Sequence, residues 1–144
     1  MGLDMHLTAE LFLWTKERKE MTKLVNEQIY TQGLEVEKIV IDVGDWCKAT
    51  HIHQWFVENV QEGIDECNRT YVPTEKLVEL KEICEAIAEN HSLAEEALPT
   101  TTGFFFGNTE YDECYFDDIN HTIGIITKAE PLFYEMDFYY ESSW

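Results

Sequence analysis

The sequence predicts an α+β fold, with a mainly antiparallel sheet and helices packed on one face. Two segments, residues 2–13 and 132–140, alternate apolar and polar side chains as a half-buried strand does. The stretches between them repeat apolar residues at helical spacing instead. With 144 residues and 44% hydrophobic content, the chain is predicted to form a single domain with its own core.

The first half of the chain is predicted to contain two strands and two helices. After the opening strand, residues 16–33 are predicted to form an amphipathic helix. Its apolar stripe is made of Met21, Leu24, Val25 and Ile29. The β-branched residues of 36–43 predict a second strand that stops at Gly44. A second helix follows within residues 47–60. Its inner face is formed by Ala49, Ile52, His53, Phe56, Val57 and Val60.

The middle of the chain is predicted to hold a short strand around residues 70–72 and a helix that opens at Pro73 or Thr74. The buried stripe of this helix is Leu77, Leu80, Cys84 and Ile87. Residues 90–103 mix turn formers with a proline, which indicates a loop with room for one helical turn. Because binding residues are often carried on loops, this segment is a candidate for function.

The last helix is predicted to begin after Thr109, a candidate N-cap, and to run to about residue 128. Its inward side chains are Tyr115, Phe116, Ile119, Ile123 and Ile126. The acids of residues 110–118 could supply an acid–base pair or bind magnesium. Carboxylates in a first turn also complement the helix dipole, so solvated capping is the preferred interpretation.

The charge of the chain excludes one class of partner. There are 29 acidic residues against 10 basic ones, which gives a formal net charge of -19. Such a surface repels the phosphates of DNA and RNA, so we expect no direct binding to nucleic acid. The same charge either keeps the protein soluble or attracts a basic groove on another protein.

The four cysteines lie far apart, at Cys47, Cys67, Cys84 and Cys114. They form neither a zinc-binding nor a redox spacing, so free, buried thiols are expected. No apolar run approaches the roughly 18 residues of a membrane span, and no secretory signal opens the chain. We therefore predict a protein of the cytoplasm with no membrane partner, and we assign it no metal and no cofactor.

Two histidines stand two residues apart, His51 and His53. On a helix such residues point to nearly opposite sides and cannot share one metal ion. His53 lies on the predicted inner face, where it is either a core histidine satisfied by a hydrogen bond or a group that contacts a ligand. No GxSxG sequence and no glycine-rich phosphate loop is present, so we assign no catalytic residue.

Three phenylalanines stand between two glycines at residues 103–107. In an extended segment Phe104 and Phe106 point one way and Phe105 the other, so one sheet face cannot bury all three. The rings either fill the bottom of the core or form the wall of a pocket. For the pocket, we predict a ligand-binding set of Trp46, Lys48, His53, Phe104, Phe106, Asn108 and Tyr111.

Three blocks of sequence carry a resemblance: MGLDM, KATHIHQWFVENVQEGIDEC and ALPTTTGFFFGNTEYDECYF. They resemble a family of small acidic bacteriophage and prophage proteins that are usually described without a function. The likeness covers most of residues 36–128 and the first few residues. It implies an accessory protein that acts in the cytoplasm of an infected bacterium, where such proteins often interfere with host defence.

Two functions from different classes fit these residues. In the first, the protein sequesters a small signalling nucleotide by stacking its base on the aromatic pocket, without cleaving it. In the second, the acidic surface imitates nucleic acid and blocks a host defence protein. A small hydrolase that uses His53 is a third alternative, and the lack of a nucleophile or metal pattern counts against it. The oligomeric state, including a homo-oligomer, is left open.

Overall fold

The computed structural model describes residues 2–14, 18–29, 32–103 and 108–144. Within them a four-stranded antiparallel sheet has the strand order β2-β1-β4-β3. The strands are β1 (Asp4–Phe12), β2 (Lys38–Cys47), β3 (Thr70–Val72) and β4 (Asp137–Ser143). The helices are α1 (Lys19–Gln28), α2 (Thr50–Asn59), α3 (Thr74–Glu89), α4 (Ala94–Ala97) and α5 (Glu113–Ala129). The predicted α+β class is confirmed.

Strand β1 forms the centre of the sheet, since it pairs with β2 on one side and β4 on the other. Its alternation separates a buried face, which includes Met5 and Leu7, from a face on which Asp4 and His6 are exposed. The buried side chains belong to one core that also contains residues of α2, α3 and α5. The period-two pattern of the sequence therefore predicted the correct face of the strand.

Strand β2 runs through Gly44 to Cys47, so the prediction that it stops at Gly44 is wrong. The missing side chain lets α5 approach the strand. A Cβ placed on Gly44 would lie only 2.6 Å from side-chain atoms of Ile125. Here the glycine marks a close approach within a strand, as interior strand glycines often do, rather than a turn.

The last strand begins later than its alternation predicts. A 3-10 turn, Glu130–Leu132, follows α5, and β4 starts only at Asp137. Pro131 lies in the first positions of this turn, where its fixed φ angle is compatible and its missing N–H costs nothing. The alternation of residues 132–136 therefore belongs to a turn and not to a strand.

The first turn of α5 also differs from the prediction, because the N-cap is Asp112 and not Thr109. One carboxylate oxygen of Asp112 accepts a hydrogen bond from the backbone N–H of Tyr115 at 3.2 Å. Its other oxygen accepts one from the side-chain amide of Asn108 at 3.1 Å. These bonds lower the pKa of Asp112. Asp112 therefore has a structural role at the helix start. The helix dipole predicts such a role for the acids of this first turn as a group.

The predicted helical stripes meet the core in three of four helices. All four stripe residues of α3 are buried, and α2 is buried on most of its surface. In α5, Tyr115, Ile119 and Ile126 are buried as predicted, while Phe116 and Ile123 are only partly covered. Helix α1 is the exception, since none of its described residues is buried and Leu24 is exposed. The predicted helix is present, but its apolar stripe is not buried in the core.

The four cysteines are free thiols, but only Cys84 is buried. Its burial raises the pKa of the thiol to about 12, which keeps it protonated. Cys47 and Cys114 are exposed, so the expectation of buried thiols is wrong for these two. None of the helices among the described residues is long and apolar enough to cross a membrane.

Candidate functional site

A cleft of about 170 Å³ lies where the start of α2 meets the start of α5. Lys48 and His51 contribute from the turn after β2 and from the first turn of α2, and Asp118 contributes from α5. Thr100 and Asn108, on either side of the GFFFG segment, also line the cleft. Four separate stretches of chain therefore place polar side chains around one small space.

His51 forms the buried polar wall of this cleft. Its side chain is 3% exposed, and its Nε2 atom has no hydrogen-bond partner among the described residues. Its ring lies against that of Tyr115, with centroids 4.1 Å apart. Burial lowers the pKa of His51 to about 4, because a charged imidazole would lose its hydration there. At neutral pH His51 is thus an uncharged ring.

Asp118 faces the Nε2 atom of His51. Its Oδ2 atom lies 3.9 Å from His51 Nε2, which is too long for a direct hydrogen bond. Burial raises the pKa of Asp118 to about 6, so the carboxylate is mostly ionised at neutral pH while the imidazole is not. The contact is therefore no ion pair at pH 7. A polar atom beside the pair, about 2.8 Å from each of them, could bond to both.

The chain on both sides of the GFFFG segment is attached to the cleft by hydrogen bonds. The Thr101 amide donates to Thr50 Oγ1 at 3.4 Å. The Thr100 hydroxyl donates to the Thr109 carbonyl at 2.8 Å, and the Thr100 amide donates to the Tyr111 hydroxyl at 3.2 Å. The hydroxyl of Thr101 is buried and has no partner within the described ranges. A second polar atom in this region is thus left unused.

The structure places the predicted ligand-binding residues in two groups. Lys48 and Asn108 line the cleft, and Tyr111 supports it through its bond to the Thr100 amide. Trp46 is 3% exposed, and its indole N–H donates to Thr122 Oγ1 at 2.8 Å inside the core. Phe104 and Phe106 lie outside the described residues.

His53 belongs to a separate buried network. Its Nδ1 atom lies 2.8 Å from the Tyr140 hydroxyl, and its Nε2 atom lies 3.0 Å from Asp65 Oδ2. The indole N–H of Trp144 donates to the other oxygen of Asp65 at 3.0 Å. These contacts are the ones that the core-histidine alternative expects. His53 is not among the residues that line the cleft.

Searches of protein-family models, curated proteins and solved structures find no match to this chain. A functional interpretation therefore starts from the geometry of the cleft itself.

The chemistry available in the cleft is that of hydrogen bonding. A neutral imidazole can donate or accept one proton through Nε2, and Asp118 offers a carboxylate that is a strong acceptor. Lys48 adds a cation to the lining, and Asn108 adds an amide with both donors and an acceptor. Across the part of the chain that the structure describes, no group of three or more His, Cys, Asp or Glu side chains could hold a metal ion.

His51 and Asp118 are not among the site residues predicted from the sequence. There His51 is only one half of a candidate metal pair, and the acids of α5 are expected to face solvent. A usable signal for His51 was its spacing from Trp55, because residues four apart share one helix face and the tryptophan predicts burial. Asp118 carries no comparable local signal, since its environment is created by a different helix.

Proposed function

We propose that the protein is a non-catalytic binding protein that sequesters a small nucleotide-type ligand in this cleft. The observation that carries the proposal is the buried Nε2 atom of His51, without a partner among the described residues and facing Asp118 across a 3.9 Å gap. A buried polar group without a partner costs about 1–3 kcal/mol. A ligand atom that bonds to Nε2 would remove this cost, so the site gains from being occupied.

A nucleobase has the hydrogen-bonding edge that these residues would recognise. Adenine and cytosine each place an exocyclic amino group beside a ring nitrogen, a donor next to an acceptor. Asp118 would accept from the amino group, and the neutral His51 would donate from Nε2 to the ring nitrogen. Because burial lowers the pKa of His51 to about 4, this neutral form is the one present at neutral pH.

The size of the cleft indicates which part of the ligand it would hold. Its 170 Å³ is below the roughly 300–1,000 Å³ of pockets that enclose whole ligands. The base alone would enter, and the sugar and phosphate would stay outside the cleft. In the proposal Phe104 and Phe106 stack on the base, and such stacking contributes about 1–3 kcal/mol per base in single-strand binders.

The biological setting that we propose follows from the resemblance to phage proteins. A protein that holds a host signalling nucleotide without cleaving it would lower the free concentration of that signal in an infected cell. The amount of protein, and not a turnover number, would then limit the effect. Native mass spectrometry of protein purified from infected bacteria would detect a nucleotide that is retained through purification.

The direct test is calorimetric titration with a panel of nucleoside monophosphates and cyclic dinucleotides, followed by chromatography of the recovered ligand. Asp118→Asn is the test variant, and Asp117→Asn is its matched control, because Asp117 is the exposed neighbour on the same helix. We expect the Asp118 variant to bind at least about 10-fold more weakly, the loss of one charge-assisted hydrogen bond. The control should bind like the natural protein.

Three outcomes would overturn this function. Binding by no member of the panel, combined with no retained nucleotide from infected cells, would exclude sequestration. Equal weakening by Asp117→Asn and Asp118→Asn would place the interaction outside the cleft. Recovery of a cleaved ligand would show an enzyme instead.

The acidic nucleic-acid mimic remains our second candidate, and the observation that favours it is the net charge of -19. A mimic would associate with a basic host protein at a rate that falls steeply with ionic strength. Binding of a base in a partly buried cleft would depend on salt much less. Association rates measured at low and at physiological salt therefore separate the two functions.

A further inference from the structure

A second concave surface of about 400 Å³ lies at the far end of β1 from the cleft. The cleft adjoins Cys47, which pairs with Asp4 at the start of β1, whereas this groove adjoins Phe12 at its end. Its other walls are the start of α3 and the turn that precedes β4. We call it the aromatic groove.

Aromatic rings are unusually exposed in this groove. Tyr134 is 99% exposed, Trp14 is 79% exposed and Tyr71 is 51% exposed. Phe12 and Phe133, at the same groove, are partly buried. Large apolar side chains gain about 1.5–3 kcal/mol when they leave water, so three exposed rings around one concavity indicate a surface that is covered by something else.

The charge of the groove determines what can cover it. Glu75, Glu135 and Asp137 line it, and none of them forms an ion pair with another described residue. The cation in the described lining is Arg18, whose guanidinium donates to the carbonyls of Phe12 at 2.6 Å and Glu135 at 3.1 Å. Arg18 thus joins the two walls, and unpaired negative charge remains beside the rings.

The protein already binds a guanidinium in this manner on the adjoining sheet face. Arg69 places its guanidinium carbon 3.9 Å from the ring centroid of Tyr139 and forms an ion pair with Glu10. Tyr71 packs edge-on against the same tyrosine, with centroids 5.9 Å apart. A cation that contacts both aromatic rings and a carboxylate is stabilised by the cation–π attraction and by the ion pair.

We propose that the aromatic groove binds an arginine or lysine side chain of a basic segment on a partner protein. The exposed rings of Trp14, Tyr71 and Tyr134 would contact the cation and its aliphatic stem, and Glu75, Glu135 and Asp137 would supply the opposite charge. Charge complementarity favours this occupant over a second copy of a chain with net charge -19, and over nucleic acid. The groove and the nucleotide cleft are independent sites.

The test uses a fluorescein-labelled decapeptide of alternating glycine and arginine, with binding measured by fluorescence polarisation. The same peptide with citrulline in place of arginine keeps the shape of the side chain and loses its positive charge. A peptide with glutamate in place of arginine carries negative charge instead. We expect the arginine peptide to bind, the citrulline peptide to bind at least about 10-fold more weakly, and the glutamate peptide not to bind.

Protein variants locate the peptide. Tyr134→Ala and Glu75→Gln change the groove, whereas Glu82→Gln makes the same charge change at an exposed site of α3 outside it. We expect each groove variant to weaken binding about 3- to 10-fold, and Glu82→Gln to leave it unchanged. Because Tyr134 is almost fully exposed, its loss should not alter folding, which circular dichroism checks.

The proposal is overturned if no arginine peptide binds, if the citrulline peptide binds equally well, or if Glu82→Gln weakens binding as much as Glu75→Gln. The last result would show attraction to the acidic surface in general. Asp118→Asn should leave peptide binding intact. Nucleotide binding and peptide binding are therefore tested by different variants, so either proposal can fail without the other.

Discussion

The Nδ1 atom of His53 lies 2.8 Å from the hydroxyl of Tyr140, and this contact joins α2 to the sheet inside the core. The Tyr140 ring is in turn stacked on Phe56, with centroids 3.9 Å apart. With the ring proton on Nε2, His53 donates to the Asp65 carboxylate, and Nδ1 then accepts a hydrogen bond from the Tyr140 hydroxyl. His53 therefore gives the buried Tyr140 hydroxyl a partner and also bonds to the partly exposed Asp65.

We expect His53→Phe to lower the free energy of unfolding by about 2–4 kcal/mol, since the buried Tyr140 hydroxyl loses its partner and Asp65 keeps only its bond from Trp144. His6→Phe, at an exposed histidine of β1, is the matched control and should change stability by less than about 0.5 kcal/mol. Urea unfolding followed by far-ultraviolet circular dichroism measures both. Equal stability of the two variants would contradict a structural role for this network.

The opposite pKa shifts of His51 and Asp118 predict a pH dependence. His51 has a pKa of about 4 in the fold against 6.5 for the free residue, so acidification between these values favours the unfolded chain. Asp118 has a pKa of about 6 against 3.8, so acidification over its window favours the fold. The two effects offset one another between about pH 4 and 6.

Asp118→Asn removes the stabilisation that Asp118 provides on acidification and keeps the destabilisation that comes from His51. From pH 6.5 to 4 the variant should therefore lose about 1–3 kcal/mol more stability than the natural protein, with the upper value reduced by the partial exposure of Asp118. Urea midpoints at several pH values measure the difference, and Asp117→Asn serves as the reference. Parallel pH profiles for Asp118→Asn and the natural protein would contradict the assigned shift.

Gly44→Ala should destabilise the protein by about 1–3 kcal/mol, because the new methyl group would overlap Ile125. Replacing Ile125 by valine in the same chain should restore part of the loss. Gly124→Ala is the control on α5, where an added Cβ meets no atom within 4 Å of the described residues. It should raise stability by about 0.5–1 kcal/mol through helix propensity. Thermal unfolding of the variants measures whether stability falls or rises.

The position of the α5 N-cap is also testable. Asp112→Ala should destabilise the protein, since the Tyr115 amide loses its acceptor. Thr109→Ala should cost less than half as much, because the hydroxyl of Thr109 is not the cap. Chemical unfolding of the two variants side by side decides between them, and a larger loss for Thr109→Ala would favour the cap predicted from sequence.

The elements that the sequence predicted well are those whose pattern is local. The stripe of α3 and the alternation of β1 each repeat several times within one element, so each specifies which face is buried. Helix α1 shows the limit of the same reasoning, because its stripe predicts an amphipathic helix but not the surface that covers it. Periodicity shows which face of an element is apolar, but it does not identify the element that packs against that face.

The candidate site was only partly predictable for a related reason. Lys48 and Asn108 belong to the predicted ligand-binding set, and both line the cleft. His51 and Asp118 become neighbours only when α5 packs beside α2, and the shift of each pKa is created by that burial. A property that arises from contact between distant segments has no counterpart in the local pattern of either one.

The pairing of β1 with β4 has a consequence for how the protein is made. Residues 4–10 hydrogen-bond to residues 137–143, so the centre of the sheet joins segments that leave the ribosome at very different times. During synthesis one edge of β1 has to wait for its partner strand, and such long-range pairing folds slowly. We infer that the sheet is completed only after translation has passed residue 143.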